Sequence, residues 1–145
     1  MAYHYKLETL LTVRRNFEEQ WQQKLAHEIF VLENHRKYLG DLQAQRLDLV
    51  QTFSEYKRKN MQAAMFSIYV EAIEQKDRQI NFQHNAIAAQ TRTIESVRLE
   101  LLERVKARKI VERLKEKDYL AYTAEEFRKA QNENDEQAVL RFNLG

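Results

Sequence analysis

The chain has 145 residues, enough for one domain, with no Pro, no Cys, and Gly only at Gly40 and Gly145. A fold with many turns spends more of both turn formers. The absent cysteine excludes disulfide stapling and thiol catalysis and fits a reducing compartment. Charged residues make up 32% and hydrophobic ones 43%. The mean hydropathy is −0.73, so the apolar residues can cover a stripe but not fill a thick core. The composition predicts an all-α protein of long elements rather than a disordered chain. Lys plus Arg is 24 and Asp plus Glu is 22, a balance that names no partner.

The opening Met1-Ala2-Tyr3-His4-Tyr5-Lys6 lacks the apolar core of a signal peptide, and nothing approaches the ~20 apolar residues of a membrane span. The expectation is a cytoplasmic protein without direct membrane insertion. A first helix is expected over about 5–57. Its apolar positions include Leu7, Leu10, Leu11, Phe17, Trp21, Leu25, Ile29, Leu32, Leu39, Leu42, Leu49, Phe53 and Tyr56, mostly three and four apart. Phe17, Trp21, Leu25 and Ile29 run in fours, a slip out of heptad phase. Gly40 weakens the helix by about 1 kcal/mol relative to Ala and either marks a bend or is simply tolerated.

Lys57-Arg58-Lys59-Asn60 ends this segment, and a reversal is predicted over about 58–64 with Asn60 as its best turn former. One continuous helix is the alternative. A second helix is predicted over about 65–138. From Phe66 every seventh residue is apolar, namely Phe66, Ile73, Ile80, Ile87, Ile94 and Leu101. That repeat holds one stripe against a partner helix. The second seam position reads Tyr69, Lys76, Gln83, Gln90, Val97, Arg104 and Val111. It is polar in the middle, which costs stability and can fix register.

With a turn near residue 61, residues whose numbers sum to about 122 face each other. This pairs Phe66 with Tyr56, Tyr69 with Phe53, Ile73 with Leu49, Ile80 with Leu42, Val97 with Leu25, Leu101 with Trp21, and Val111 with Leu11. Two levels disagree, Lys76 facing Arg46 and Ile94 facing Glu28. The predicted fold is an antiparallel coiled-coil hairpin of one domain, residues 1–145, whose second helix is longer and overhangs beyond about Lys115. The run 104–117 carries seven cations against Glu112 and Glu116. A solvated face is the plain reading and an acidic protein surface the functional one. A nucleic-acid backbone has no recognised fold behind it here.

Two glycines so far apart cannot build a phosphate loop. His4, His27, His35 and His84 form no i, i+4 pair, so no metal site is expected. Glu18-Glu19 and Glu125-Glu126 are neighbours that do not face each other on a helix, so they make no acid/base pair. No catalytic residue and no cofactor are expected. Leu39, Leu42, Leu47, Leu49 and Val50 span an arc wider than one partner helix covers, so part of it, with Tyr38, is expected to stay exposed near the turn for a protein partner.

Three stretches resemble the flagellar type III export protein family FliJ: Tyr5 to Arg14, Lys109-Ile110-Val111-Glu112-Arg113-Leu114-Lys115-Glu116-Lys117, and Phe127 to Ala138. The last departs from the family with Asn134 and Gln137 in place of apolar residues. The resemblance implies a non-enzymatic coiled-coil stalk of the export apparatus, peripheral to the inner membrane at the flagellar base. Implied partners are the hexameric export ATPase, whose assembly and activity it promotes, the export gate membrane protein, and export chaperones. With that partner implied, the charge run gives the electrostatic expectation that the basic overhang, with Lys106, Lys109, Arg113, Lys115 and Lys117, faces the ring's central pore. The resemblance places Tyr38, Leu42, Gln45 and Leu49, with Tyr69, Ile73, Lys76 and Ile80, toward the gate. That second set conflicts with the pairing above, which buries Leu42, Leu49, Ile73 and Ile80; the accessibility of Leu42 and Leu49 decides between them. A related injectisome stalk or a coiled-coil dimerisation adaptor are the alternatives.

Overall fold

The computed structural model describes residues 2–144. Two helices make up the fold: α1, Glu8–Arg58, and α2, Ala63–Leu144, packed antiparallel, with no strand among the described residues. α1 has 51 residues and α2 has 82. Each is amphipathic only along a narrow stripe, so each depends on the other for burial.

The chain reverses within 59–62. Lys59 N–H donates to the Tyr56 carbonyl at 3.0 Å. Asn60 then takes φ of 61°, the left-handed conformation that Asn tolerates better than most residues and that commonly ends a helix. Gly40 has no positive φ, and a Cβ added there meets nothing within 4 Å. It serves no bend or close approach and is carried in the helix as a propensity cost alone.

The contacts group into two units, Gln22–Glu100 and Met1–Trp21 with Leu101–Gly145. In the first, Leu32, Leu42, Phe53, Ile94 and Val97 are buried. The aromatic end of the seam differs in detail from simple level-by-level pairing. Phe53 packs on both Phe66 and Tyr69, at 5.2 and 5.4 Å between ring centroids, and Tyr56 packs on Tyr69 rather than on Phe66. Large rings reach one turn along the partner helix, which the axial rule ignores. The two discordant levels resolve in the same way. Arg46 avoids Lys76 by pairing with Asp77, and Lys76 Nζ donates to Gln45 Oε1 at 2.6 Å. Ile94 is buried, and Glu28 instead accepts from Gln90.

The polar middle of the seam is bonded rather than loose. Gln83, only 4% exposed, directs Nε2 to the His35 carbonyl at 2.9 Å and lies 3.0 Å from His35 Nδ1. One turn pair away, Gln90 Nε2 donates to the Glu28 carbonyl and carboxylate at 2.9 and 2.6 Å.

In the other unit, Tyr5, Leu11 and Val111 form the core, with Tyr3 packed against it. Tyr5 lies ahead of α1 instead of inside it, because its ring turns inward and its hydroxyl donates to the Val111 carbonyl at 3.2 Å. Tyr3 contacts the rings of Tyr119 and Tyr122, at 5.1 and 5.2 Å. Its hydroxyl donates to Asp118 at 2.9 Å. Desolvation, and then this bond, raise the phenol pKa to about 12. Residues before α1 thus cover α2 past Lys115, and the uncovered part starts later than the sequence suggests. From 124 to 144 every described residue of α2 is exposed.

Replacing Gln83 by Ala removes both bonds from the seam. Equilibrium urea unfolding should show a loss of about 1–3 kcal/mol; an unchanged midpoint would mean the layer does not hold the helices.

Candidate partner-binding surfaces

The basic run divides by azimuth. Continuing the apolar repeat past Leu101 gives Arg108, Lys115 and Tyr122, and all three are partly buried. Arg108 forks to Glu18, which is 8% exposed, and to Glu112 at 2.8 Å. Lys115 Nζ meets Glu8 at 2.8 Å. Arg104 lies over the faces of Phe17 and Trp21, at 6.0 and 5.8 Å. These cations are used within the helix pair.

Lys106, Lys109, Arg113 and Lys117 follow a three-four-four spacing and are exposed. Lys106 makes only a solvent-facing pair with Glu103 at 3.5 Å, the kind worth little. Of the five candidate ring-facing residues, four therefore share one outward face and Lys115 lies in the seam. Ile110 and Leu114 stand exposed beside them. They fall off the heptad stripe, which is why seam-based reading passes over them; their spacing of four was the available signal.

The gate-facing candidates also divide. Gln45, Leu49, Tyr69 and Lys76 line one open groove of about 380 Å³ with Asp48 and Thr52. Leu42 is 2% exposed and belongs to the seam, so it offers a partner no surface in this register. Leu49, Ile73 and Ile80 are half-buried, which leaves each an edge. The burial of Leu42 thus agrees with a place in the seam, while the half-buried Leu49 also lines the groove. Tyr38 lines a second groove of about 330 Å³, where the strongly exposed Phe82 is a wall the sequence reading did not single out.

Hydrogen bonds from Arg108 and Arg15 hold the Glu112 carboxyl below its ordinary range, Arg108 being the larger cause. The same bonds to Glu18 and Glu112 raise the Arg108 pKa. Among the described residues there is no cluster of three His, Cys, Asp or Glu placed to hold a metal, and no helix is long and apolar enough to cross a membrane.

Fold and surfaces together define an antiparallel coiled-coil hairpin that presents grooves and a cationic face. The family described as Flagellar FliJ protein matches residues 3–145. The chain belongs to the FliJ family, which places it with the flagellar protein export machinery. Neither a curated protein nor a solved structure matches it.

A carboxyl held below its unfolded pKa contributes stability above that value and loses it as pH falls through the folded pKa. Urea midpoints should therefore drop on acidification below about pH 4.5 in the native chain, and Glu112→Gln should flatten that drop. Identical pH profiles for the two would contradict the assignment.

Proposed function

We propose that the chain is a non-enzymatic coupling stalk of the flagellar export apparatus. In this reading it promotes assembly and activity of the hexameric export ATPase, links that ring to the export gate, and escorts export chaperones. It acts in the cytoplasm, peripherally associated with the inner membrane at the flagellar base. Family membership supports the setting. The observation that carries the mechanism is the outward row Lys106, Lys109, Arg113 and Lys117, set apart from the cations the helix pair uses itself.

A row of exposed cations steers association with an acidic surface and lends it salt dependence. Ile110 and Leu114 add apolar area that such a contact can desolvate. The groove of Gln45, Leu49, Tyr69 and Lys76 is the proposed gate-facing surface, with Ile73 and Ile80 at their exposed edges, Tyr38 on the neighbouring groove, and Leu42 as the support beneath.

ATP turnover by the purified export ATPase, with and without the chain, tests the reading. Lys109→Ala/Arg113→Ala/Lys117→Ala should abolish most of the stimulation while leaving helicity intact. Lys115→Ala should act chiefly on chain stability, since Lys115 faces Glu8. Full stimulation by the triple variant would contradict the role of the outward row.

A further inference from the structure

The reversal between the helices carries a chemistry that neither the seam nor the outward row uses. Between Glu55 and Glu71 there are three cations, Lys57, Arg58 and Lys59, and no acid. Around them large apolar side chains stand open: Tyr56, Met65 (41%), Phe66 (46%) and Ile68 (58%). Phe66 is the seam residue nearest the turn, and it is also the exception to seam burial. Lys57 lays its ammonium over the Phe53 ring at 3.9 Å and stays exposed.

We infer that the tip formed by Tyr56 to Ile68 docks on anionic phospholipid, its apolar side chains entering the headgroup boundary and Lys57, Arg58 and Lys59 meeting lipid phosphates. Three observations fit a lipid surface. The charge is of one sign across the whole tip, matching the negative surface of an anionic leaflet. Met65, Phe66 and Ile68 spread over an arc of about 160° around α2, with Ile68 and Phe66 on either side of Met65, and Tyr56 adds an open ring from α1. A fluid interface receives an inserted end of that breadth, carried on both helices, without a shaped partner. The depth also fits. Ile68 is five residues into α2, about 7.5 Å along its axis. Interfacial segments sink their apolar groups about 5–10 Å.

This contact is shallow and agrees with the absence, among the described residues, of a helix able to span. It goes beyond the sequence expectation of no insertion by adding headgroup-level contact. It is also independent of the stalk reading, because vesicle binding needs neither ATPase nor gate.

The test is flotation of the full chain with vesicles of phosphatidylcholine containing roughly one third phosphatidylglycerol, and with phosphatidylcholine alone. The chain should float with the anionic vesicles, not with the neutral ones, and less as salt is raised. Arg58→Ala/Lys59→Ala, which leaves Lys57 over its ring, should weaken partitioning about thirtyfold at low salt. Met65→Ser/Ile68→Ser should weaken it more than tenfold. Circular dichroism checks that both variants stay helical. Equal flotation with both vesicle types overturns the inference. So does native-like binding by both folded variants, or a tip that captures an acidic protein surface yet ignores vesicles.

Discussion

Two helices that share one narrow stripe can keep very few side chains dry, and that scarcity governs every other feature of the molecule. The stripe on α2 is set by a repeat of seven, so a residue's role follows from its phase. From Tyr69 to Lys115, residues in phase are drawn inward whatever their chemistry. Ile94, Val97 and Val111 lie there and are buried, Val111 against Tyr5 and Leu11. Gln83 and Gln90 occupy the same stripe and must satisfy their amides across it, which each does by bonding a backbone carbonyl of α1 together with a polar side chain. A carbonyl partner makes such a bond position-specific, because an axial slip of one residue aims the amide at a different level. The polar layer thus exchanges some apolar burial for register.

The same phase rule sorts the charges. Arg108 and Lys115 are in phase and are committed to Glu18 and Glu8. Lys109, Arg113 and Lys117 are out of phase and exposed. A basic run that reads as one feature along the chain is therefore two features on the helix. One is a set of cross-helix ion pairs with little free surface, and the other is a face available to a partner. Exposed like charges gain little within the chain itself, so the outward row is where the proposed partner contact belongs.

Much of this was legible in the sequence because azimuth depends only on phase. The seven-residue repeat from Phe66 to Leu101 identifies the seam, and all of it save Phe66 is at least half-buried. Asn60 stands out as a turn former without any neighbouring Gly or Pro, and it takes a positive φ. Axial detail was not legible. Phase does not say which of two neighbouring levels a long side chain chooses, so Arg46 with Asp77, and Phe53 with Phe66, had to be seen. The burial of Tyr5 and the packing of Tyr3 were hidden because both lie ahead of α1, where no periodicity applies. The position of Lys115 was recoverable but masked by its charge. It sits seven residues after Arg108 and fourteen after Leu101, and stopping the repeat at its last apolar member hid it.

Amine acylation of the full chain, read residue by residue by mass spectrometry with and without the export ATPase, bears most directly on this division of the basic run. The account predicts fast labelling of Lys106, Lys109 and Lys117 and slow labelling of Lys115 in the free chain. Addition of the ATPase should then protect the first three and leave Lys115 as it was. Uniform labelling of all four lysines, or protection confined to Lys115, would contradict it.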